Sequence, residues 1–504
     1  MAFFFFITGA FLDLYSHFGA IFSKWVLFLQ FMPSLLNFIN VAAFAATGFI
    51  FVLLLTLLFG RVYCSFLCPL GTLQDGIGWL GRLFRRKRFR YRKAPAALHY
   101  SIFGLTILIF GAGSISLLTI LEPYSNFGRI IANLVRPVVI FCNNHLANFF
   151  QQKNIYFFSP YESEIASPGA ILFSTAFLLM LFVTVFIYGR WFCNSLCPVG
   201  GILRLVSQIS VFKIRIDQQS CNSCGACMMK CKAGCINSKK KVIEFQRCIG
   251  CMDCLKTCPK NGVKYSLMPM AKKEPTATDD SRRTFLKTAS AVALTIPAMA
   301  GAGQVLRKSG AGSLFNEKKC PVCPPGSLGL EYFNFNCTAC HLCISQCPTQ
   351  VLKPSYDSYG LNGFMQPVMD YNASFCNFEC NRCSQVCPNG AILPLTLAEK
   401  KLTQLGVAVF VEKNCVVYNN NTACGACNEH CPTKAVTMVP YKNGLKIPKV
   451  NWEICLGCGA CEYACPTIHN KAIYVEGVPV HRKAKPPDSK VNDTKVDYKE
   501  DFPF

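Results

Sequence analysis

Residues 221–259 read CNSCGACMMKCKAGCINSKKKVIEFQRCIGCMDCLKTCP, two runs of C-x-x-C-x-x-C-x-x-x-C separated by 16 residues. Three thiolates from one tight loop and a fourth from elsewhere complete a tetrahedral ligand set around an iron–sulfur cubane, whose soft metal suits sulfur donors. Zinc sites use paired C-x-x-C units, whereas these runs repeat a third step. Disulfide frameworks are found mainly in small secreted domains. The stretch therefore predicts two [4Fe-4S] clusters, and their natural work is one-electron transfer. In paired runs the fourth cysteine of each ligates the other cluster, which groups Cys221, Cys224, Cys227 and Cys258 at one site. Cys248, Cys251, Cys254 and Cys231 make the other. The usual proline after the fourth cysteine is Lys232 in the first run, and Cys235 is left over as a buried thiol.

Downstream four further runs appear, at Cys337, Cys340, Cys343 and Cys347; Cys376, Cys380, Cys383 and Cys387; Cys415, set apart, with Cys424, Cys427 and Cys431; and Cys455, Cys458, Cys461 and Cys465. Each run ends in Cys-Pro, and together they predict four more clusters, six in all. By analogy with four-cluster subunits, the outer runs exchange their fourth cysteines and so do the inner two. Cys465 then joins Cys337, Cys340 and Cys343, and Cys347 joins Cys455, Cys458 and Cys461. Cys431 joins Cys376, Cys380 and Cys383, and Cys387 joins Cys415, Cys424 and Cys427. Cys337 to His341 also spells C-x-x-C-H, the haem attachment sequence, but Cys343 and Cys347 complete the cluster spacing around it. Cys320 and Cys323 form a separate C-x-x-C where a disulfide is permitted. Cys142 stands alone in an apolar context and reads as structural.

Upstream, with 52% hydrophobic residues in 504, the chain calls for a membrane part joined to soluble parts. The run after Met1 meets Asp13 too early to span. Residues 43–59, 98–121 and 169–188 read as spans, with an apolar patch at 130–150 that crosses or lies flat. The first and third of these end in internal repeats, GRVYCSFLCPLG (60–71) and GRWFCNSLCPVG (189–200). Cys64, Cys68, Cys193 and Cys197 should share one membrane face. The basic residues of 82–93 make that face cytoplasmic. These four cysteines bind a further cluster, form redox-active thiol pairs, pass a soft metal, or only pack helix ends. Asp13, His17, His99, Glu122 and His145 are the ionisable groups near spans. No nucleophile, paired-carboxylate or phosphate-loop motif supports a hydrolase or kinase, and no quinone site is legible.

Between the two cysteine-rich parts lies SRRTFLKTASAVALTIPAMAGAG, residues 281–303. Arg282 and Arg283 before a short apolar run make a twin-arginine export address, and Ala298 to Ala300 offers a cleavage-like A-x-A. The other reading is a basic linker with an amphipathic helix that stays on one side. The formal charge of +24 counts every thiol as neutral. A cubane with four thiolates carries about two negative charges, so six clusters remove about half the excess, and no nucleic-acid partner is called for.

The expected architecture is an α-helical membrane domain (1–209) joined to α+β ferredoxin-like domains. These are a cytoplasmic two-[4Fe-4S] domain (210–268) and a four-cluster double-ferredoxin domain (305–480), with a linker (269–304) between them and a polar tail (481–504).

On these motifs, residues 40–266 resemble the NapH type of membrane quinol dehydrogenase, related to the membrane part of the nitrous-oxide-reductase regulator. Residues 281–480, with SRRTFLK, PPGSLGLEYF and the four runs, resemble the NapG or MauM type of exported ferredoxin. The resemblance implies a fused pair that oxidises menaquinol from the membrane pool and passes electrons to an extracytoplasmic reductase or carrier. Electrons entering from a cytoplasmic donor through the two-cluster domain are a variant of this reading. A different class is a metal-cofactor maturation or redox-regulatory protein, like copper-oxidase assembly factors. The four-cluster part and the lack of a Met-rich or His-rich tract argue against it.

Overall fold

The computed structural model describes residues 2–15, 27–41, 47–84, 89–91, 96–161, 167–267, 318–467 and 470–486. The twin-arginine segment, His17, residues 85–88 and 92–95 of the basic loop, and the tail after 486 lie outside the described residues.

The apolar N-terminal part folds into helices, among them Ala2–Leu12, Phe31–Val41, Gly48–Phe59, Pro69–Phe84 and Ala96–Gly111. The expected span at 98–121 is broken. Gly113 turns the chain at φ +85°, and a separate short helix, Ser116–Leu121, follows. The apolar patch at 130–150 belongs to a continuous helical stretch, Pro123–Gln151. Pro123 occupies its first turn, and the Glu122 carboxylate accepts the Tyr124 and Ser125 N–H groups. Its middle, Ile131–Val135, is π-helical. Pro137 lacks the N–H that an α-helix would return to residue 133, and the wider turn absorbs that loss. Pro123–Gln151 and Pro168–Tyr188 are long and apolar enough to cross a membrane, and shorter apolar helices pack around them.

In the two-run part, strand Phe212–Ile216 pairs antiparallel with Val263–Leu267 and brackets both cysteine runs, with a short hairpin, Ile236–Asn237 and Val242–Ile243, between them. The same plan recurs at the end of the chain. Thr403–Phe410 pairs with Ile473–Lys483 around a hairpin of Val436–Pro440 and Lys446–Val450. That last strand passes the expected boundary at 480, because Ala484 N–H still donates to Leu402 O. The first two downstream runs flank their own hairpin, Leu352–Pro354 with Pro367–Met369.

The two cysteine-rich parts meet opposite ends of helix Pro168–Tyr188. Past its C-terminus, Arg190 N–H donates to Lys232 O at 3.0 Å. At its N-terminus, Ser167 Oγ lies 2.8 Å from Tyr356 Oη, and Gly169 packs against the Tyr356 ring. Further contacts seat the downstream part on the helices: Ser125 Oγ donates to Thr338 Oγ1 at 2.8 Å and Gln346 Nε2 to Ala10 O at 2.8 Å.

Candidate iron–sulfur centres

Four runs share one loop conformation. The residues just before and after the second cysteine have positive φ: Ser223 and Gly225, Gly250 and Met252, Ala339 and His341, Gly457 and Gly459. Successive left-handed residues wrap the backbone so that its N–H groups face the space between thiols, as in anion-binding nests. Ser223 N–H, for example, points to Cys221 Sγ at 3.4 Å. No group of three or more His, Cys, Asp or Glu side chains converges as a single metal ion requires among the described residues. Zn–S bonds of about 2.3 Å would draw four sulfurs to within about 3.8 Å of one another. Loops that turn backbone N–H groups toward a set of thiols fit an anionic cubane.

In the two-run part, Cys227 faces Cys221, Cys224 and Cys258, and Cys254 faces Cys248, Cys251 and Cys231. Cys235 is a fifth thiol at the second site, 3.5 Å from Cys231 Sγ. Its hydrogen bond draws the Cys231 thiol down and pushes Cys235 itself up.

The downstream runs pair differently from the nested expectation. Cys387, not Cys465, lies with Cys337, Cys340 and Cys343, and Cys347 lies with Cys376, Cys380 and Cys383. Cys465 lines one small pocket with Cys415, Cys424 and Cys427, and Cys431 neighbours Cys455, Cys458 and Cys461. These neighbours fit exchange between consecutive runs rather than the nested one. The strand pairing explains it, since Thr403–Phe410 and Ile473–Lys483 close around the last two runs alone and leave the first two to each other.

Cys64, Cys68, Cys193 and Cys197 are brought together, all buried. The two repeats meet about a local two-fold relation. Arg61 Nη2 donates to Cys193 O at 3.1 Å, and Arg190 Nη1 donates to Cys64 O at 2.8 Å. The glycine before each arginine is required. Gly60 and Gly189 hold φ +78° and +72°, and a Cβ would lie 2.8 Å from the Phe245 ring and 2.3 Å from Lys232 O respectively. Arg61 and Arg190 are almost fully buried, Asp75 is the carboxylate paired with Arg190 (2.9 Å), and Arg61 Nε has no hydrogen-bond partner among the described residues. Four soft donors beside surplus positive charge fit an anionic thiolate-bound iron–sulfur group, the charge balance a bare thiol set would not meet.

Some determinants escaped the sequence reading. Lys232, noted only as a missing proline, bridges Asp75 at 3.2 Å and Asp253 at 3.0 Å, tying the two-run part to the repeats. The paired Gly-Arg of the repeats was the signal for Arg61 and Arg190; nothing marked Asp75. His341, between Cys340 and Cys343 in the chain, is buried, with Nε2 3.0 Å from Met365 O and Nδ1 3.4 Å from Asn133 Nδ2. Cys323 is buried 3.8 Å from Tyr359 Oη, and burial pushes its thiol up to about 12; Cys320 is half-buried. Cys142, expected to be structural, is exposed. Glu122 serves a helix end, His99 is buried beside Arg61 and Arg204, Asp13 is buried, and His145 is exposed.

A family model described as a 4Fe-4S binding domain matches residues 41–89 and 170–217, the two repeats and their flanks. Models described as 4Fe-4S dicluster domains match 336–392 and 422–468. Each dicluster match covers neighbouring runs, in keeping with consecutive exchange. The putative electron transport protein YccM of Escherichia coli is 29% identical over 238 residues, 46% of this chain and 59% of its own length. The methylamine utilization ferredoxin-type protein MauM of Methylobacillus flagellatus is 32% identical over 149 residues, 28% of this chain and 62% of that protein. The chain is homologous to ferredoxin-type 4Fe-4S electron-transport proteins. The ferredoxin-type protein NapG of Haemophilus influenzae extends the set, 29% identical over 219 residues, 40% of this chain and 74% of NapG. The chain spans about three fifths of the length of YccM and MauM. No solved structure matches it. The chain thus carries 4Fe-4S binding and dicluster domains and is related to the Nap and Mau ferredoxin-type proteins.

Proposed function

We propose that this chain is a membrane-bound quinol dehydrogenase that carries electrons from a menaquinol-type pool through [4Fe-4S] clusters to an extracytoplasmic reductase or carrier. The two-run part then lies in the cytoplasm, and the downstream part beyond the membrane. The observation that carries this reading is helix Pro168–Tyr188, whose two ends contact the two cysteine-rich parts. Its 21 residues rise about 1.5 Å each, close to the hydrocarbon thickness of about 30 Å. Cys64, Cys68, Cys193 and Cys197 are the residues that would hold one more iron–sulfur group. Bound there, it would relay single electrons between the two parts. Arg61 and Arg190 hold the repeats together across that site and offset thiolate charge, while Lys232 and Asp75 dock the two-run part against it.

The test is to mix the purified, cluster-loaded protein with a reduced menaquinone analogue and follow bleaching of cluster absorbance and the appearance of reduced-cluster spin signals. Rapid reduction without dithionite is expected. In parallel, a reporter fused at the C-terminus should be active only outside the cytoplasmic membrane. A cytoplasmic reporter, or clusters reduced by dithionite but never by the quinol, would overturn the reading.

A further inference from the structure

A cavity of about 360 Å³ lies between helix Pro123–Gln151 and the first downstream cluster loop. Its volume is at the lower end of the range for small-molecule sites, about 300–1,000 Å³. Three features point to a ligand. The wall from the long helix includes its π-helical segment, a distortion that recurs at functional sites. Arg136 lines the cavity, is only 6% exposed, and leaves its Nε without a hydrogen-bond partner among the described residues, while Nη2 donates to Tyr161 Oη at 3.4 Å. A buried donor without a partner is costly, and a ligand oxygen would satisfy it. The opposite wall carries Ile344, next in sequence to Cys343. Asn133, also in the lining, reaches His341 within the loop that joins Cys340 to Cys343.

We propose that this cavity is the quinone site, with the quinone ring against Arg136 and Asn133 and the isoprenoid tail leaving over Phe141. The site rests on the quinol-oxidising function proposed above. Ile140 and Phe141 supply apolar walls, and Phe141 is 64% exposed on the lipid-compatible flank of the same helix. His145, exposed at the edge of the lining and stacked edge-on against Phe141 at 4.3 Å, is placed to pass protons outward. The balance is one hydroquinone in and one quinone out, with two protons released to water. Two oxidised clusters each take one electron, beginning with the site of Cys337, Cys340, Cys343 and Cys387. The short path through Ile344 and His341 gives that cluster first access.

The test uses the full-length, cluster-loaded protein and menadiol as probe. Ile140→Trp, which fills the cavity, and Arg136→Met are each expected to slow menadiol-driven cluster reduction at least tenfold while dithionite still reduces every cluster. A light-activated azidoquinone should label wild-type peptides within 131–148, which needs no variant to fold. Menadiol reduction left unchanged in both variants, or labelling confined elsewhere, would overturn this site and leave quinol oxidation standing. Failure of menadiol to reduce the wild-type clusters would overturn both.

Discussion

The pairing of the downstream runs can be tested by counting iron in double variants. The Cys387 thiol lies among Cys337, Cys340 and Cys343 and accepts the Ile392 N–H at 3.4 Å. If Cys387 and Cys340 ligate one cubane, Cys387→Ala removes between about one iron, where a three-iron cluster persists, and about four, where the site empties. Adding Cys340→Ala changes the same cluster, so the double variant still loses no more than about four irons. Cys387→Ala with Cys424→Ala strikes two clusters, and its loss rises to as much as about eight. The nested pairing reverses the outcomes, because there Cys387 shares a site with Cys424 and not with Cys340. The assay is iron and acid-labile sulfide per chain, with reduced-cluster spin signals resolved one by one. A Cys387/Cys340 double variant that alters two cluster signals, beside a Cys387/Cys424 variant that alters one, would refute consecutive exchange.

Gly128→Val should loosen the downstream part from the helices, since a Cβ there would meet Cys340 O at 2.3 Å and the Phe11 ring at 2.8 Å. Overpacking of about 1–3 kcal/mol should appear as faster hydrogen exchange at 338–346 with cluster iron unchanged. Arg190→Gln strips Asp75 of its closer partner and Cys64 O of its donor; removing one member of a buried pair costs about 3–5 kcal/mol, with the lower end expected because Lys232 still reaches Asp75 at 3.2 Å. A thermal midpoint within a degree of wild type would contradict it. Burial pushes the His481 imidazole down to about 4. Below about 6.5 the unfolded chain takes a proton that the fold refuses. Stability is therefore full above that pH and falls toward pH 4, by at most about 1.4 kcal/mol per unit. His481→Gln should flatten this slope in denaturant titrations. Cys235→Ala removes a thiol hydrogen-bonded to Cys231, so the cluster there should become harder to reduce, by tens of millivolts in a redox titration.

Most of the chemistry was legible because cysteine spacing is local. A C-x-x-C-x-x-C loop must place three thiols on one side of one turn, whatever surrounds it, and the repeats at 60–71 and 189–200 were visible as self-similarity. What spacing cannot carry is which distant cysteine completes each site. That choice was made by the pairing of Thr403–Phe410 with Ile473–Lys483, a contact between strands whose apolar sequences would suit several partners. The break at Gly113 was hidden for a related reason: residues 98–121 carry no Asp, Glu, Lys or Arg, and hydropathy does not register a left-handed residue inside a mainly apolar run. The cavity lined by Arg136 was invisible because its walls come from parts of the chain about two hundred residues apart.

The packing bears on whether the cysteine-rich parts act separately. One continuous apolar core contains Cys227, Cys231, Cys248 and Cys254 of the two-run part, the four repeat cysteines, and Cys340 with Leu342 and Val386 from downstream. A second core holds Cys337 and Cys343 together with ligands of the remaining downstream sites. The division between cores thus does not fall at the linker around residue 290. It runs through the first downstream site, whose loop is gripped from both sides. From the helix side, Ser125 Oγ donates to Thr338 Oγ1 and Ala10 O accepts from Gln346 Nε2, so the loop is held at both of its ends. Groups that share a dense interior hold fixed separations, and loosely tethered domains do not. A carrier that relied on docking and release would gain nothing from such an interlock, whereas a fixed relay depends on it. Under the proposed function, the interlock favours electrons passing through the interior of one body over exchange between two ferredoxins joined by a tether.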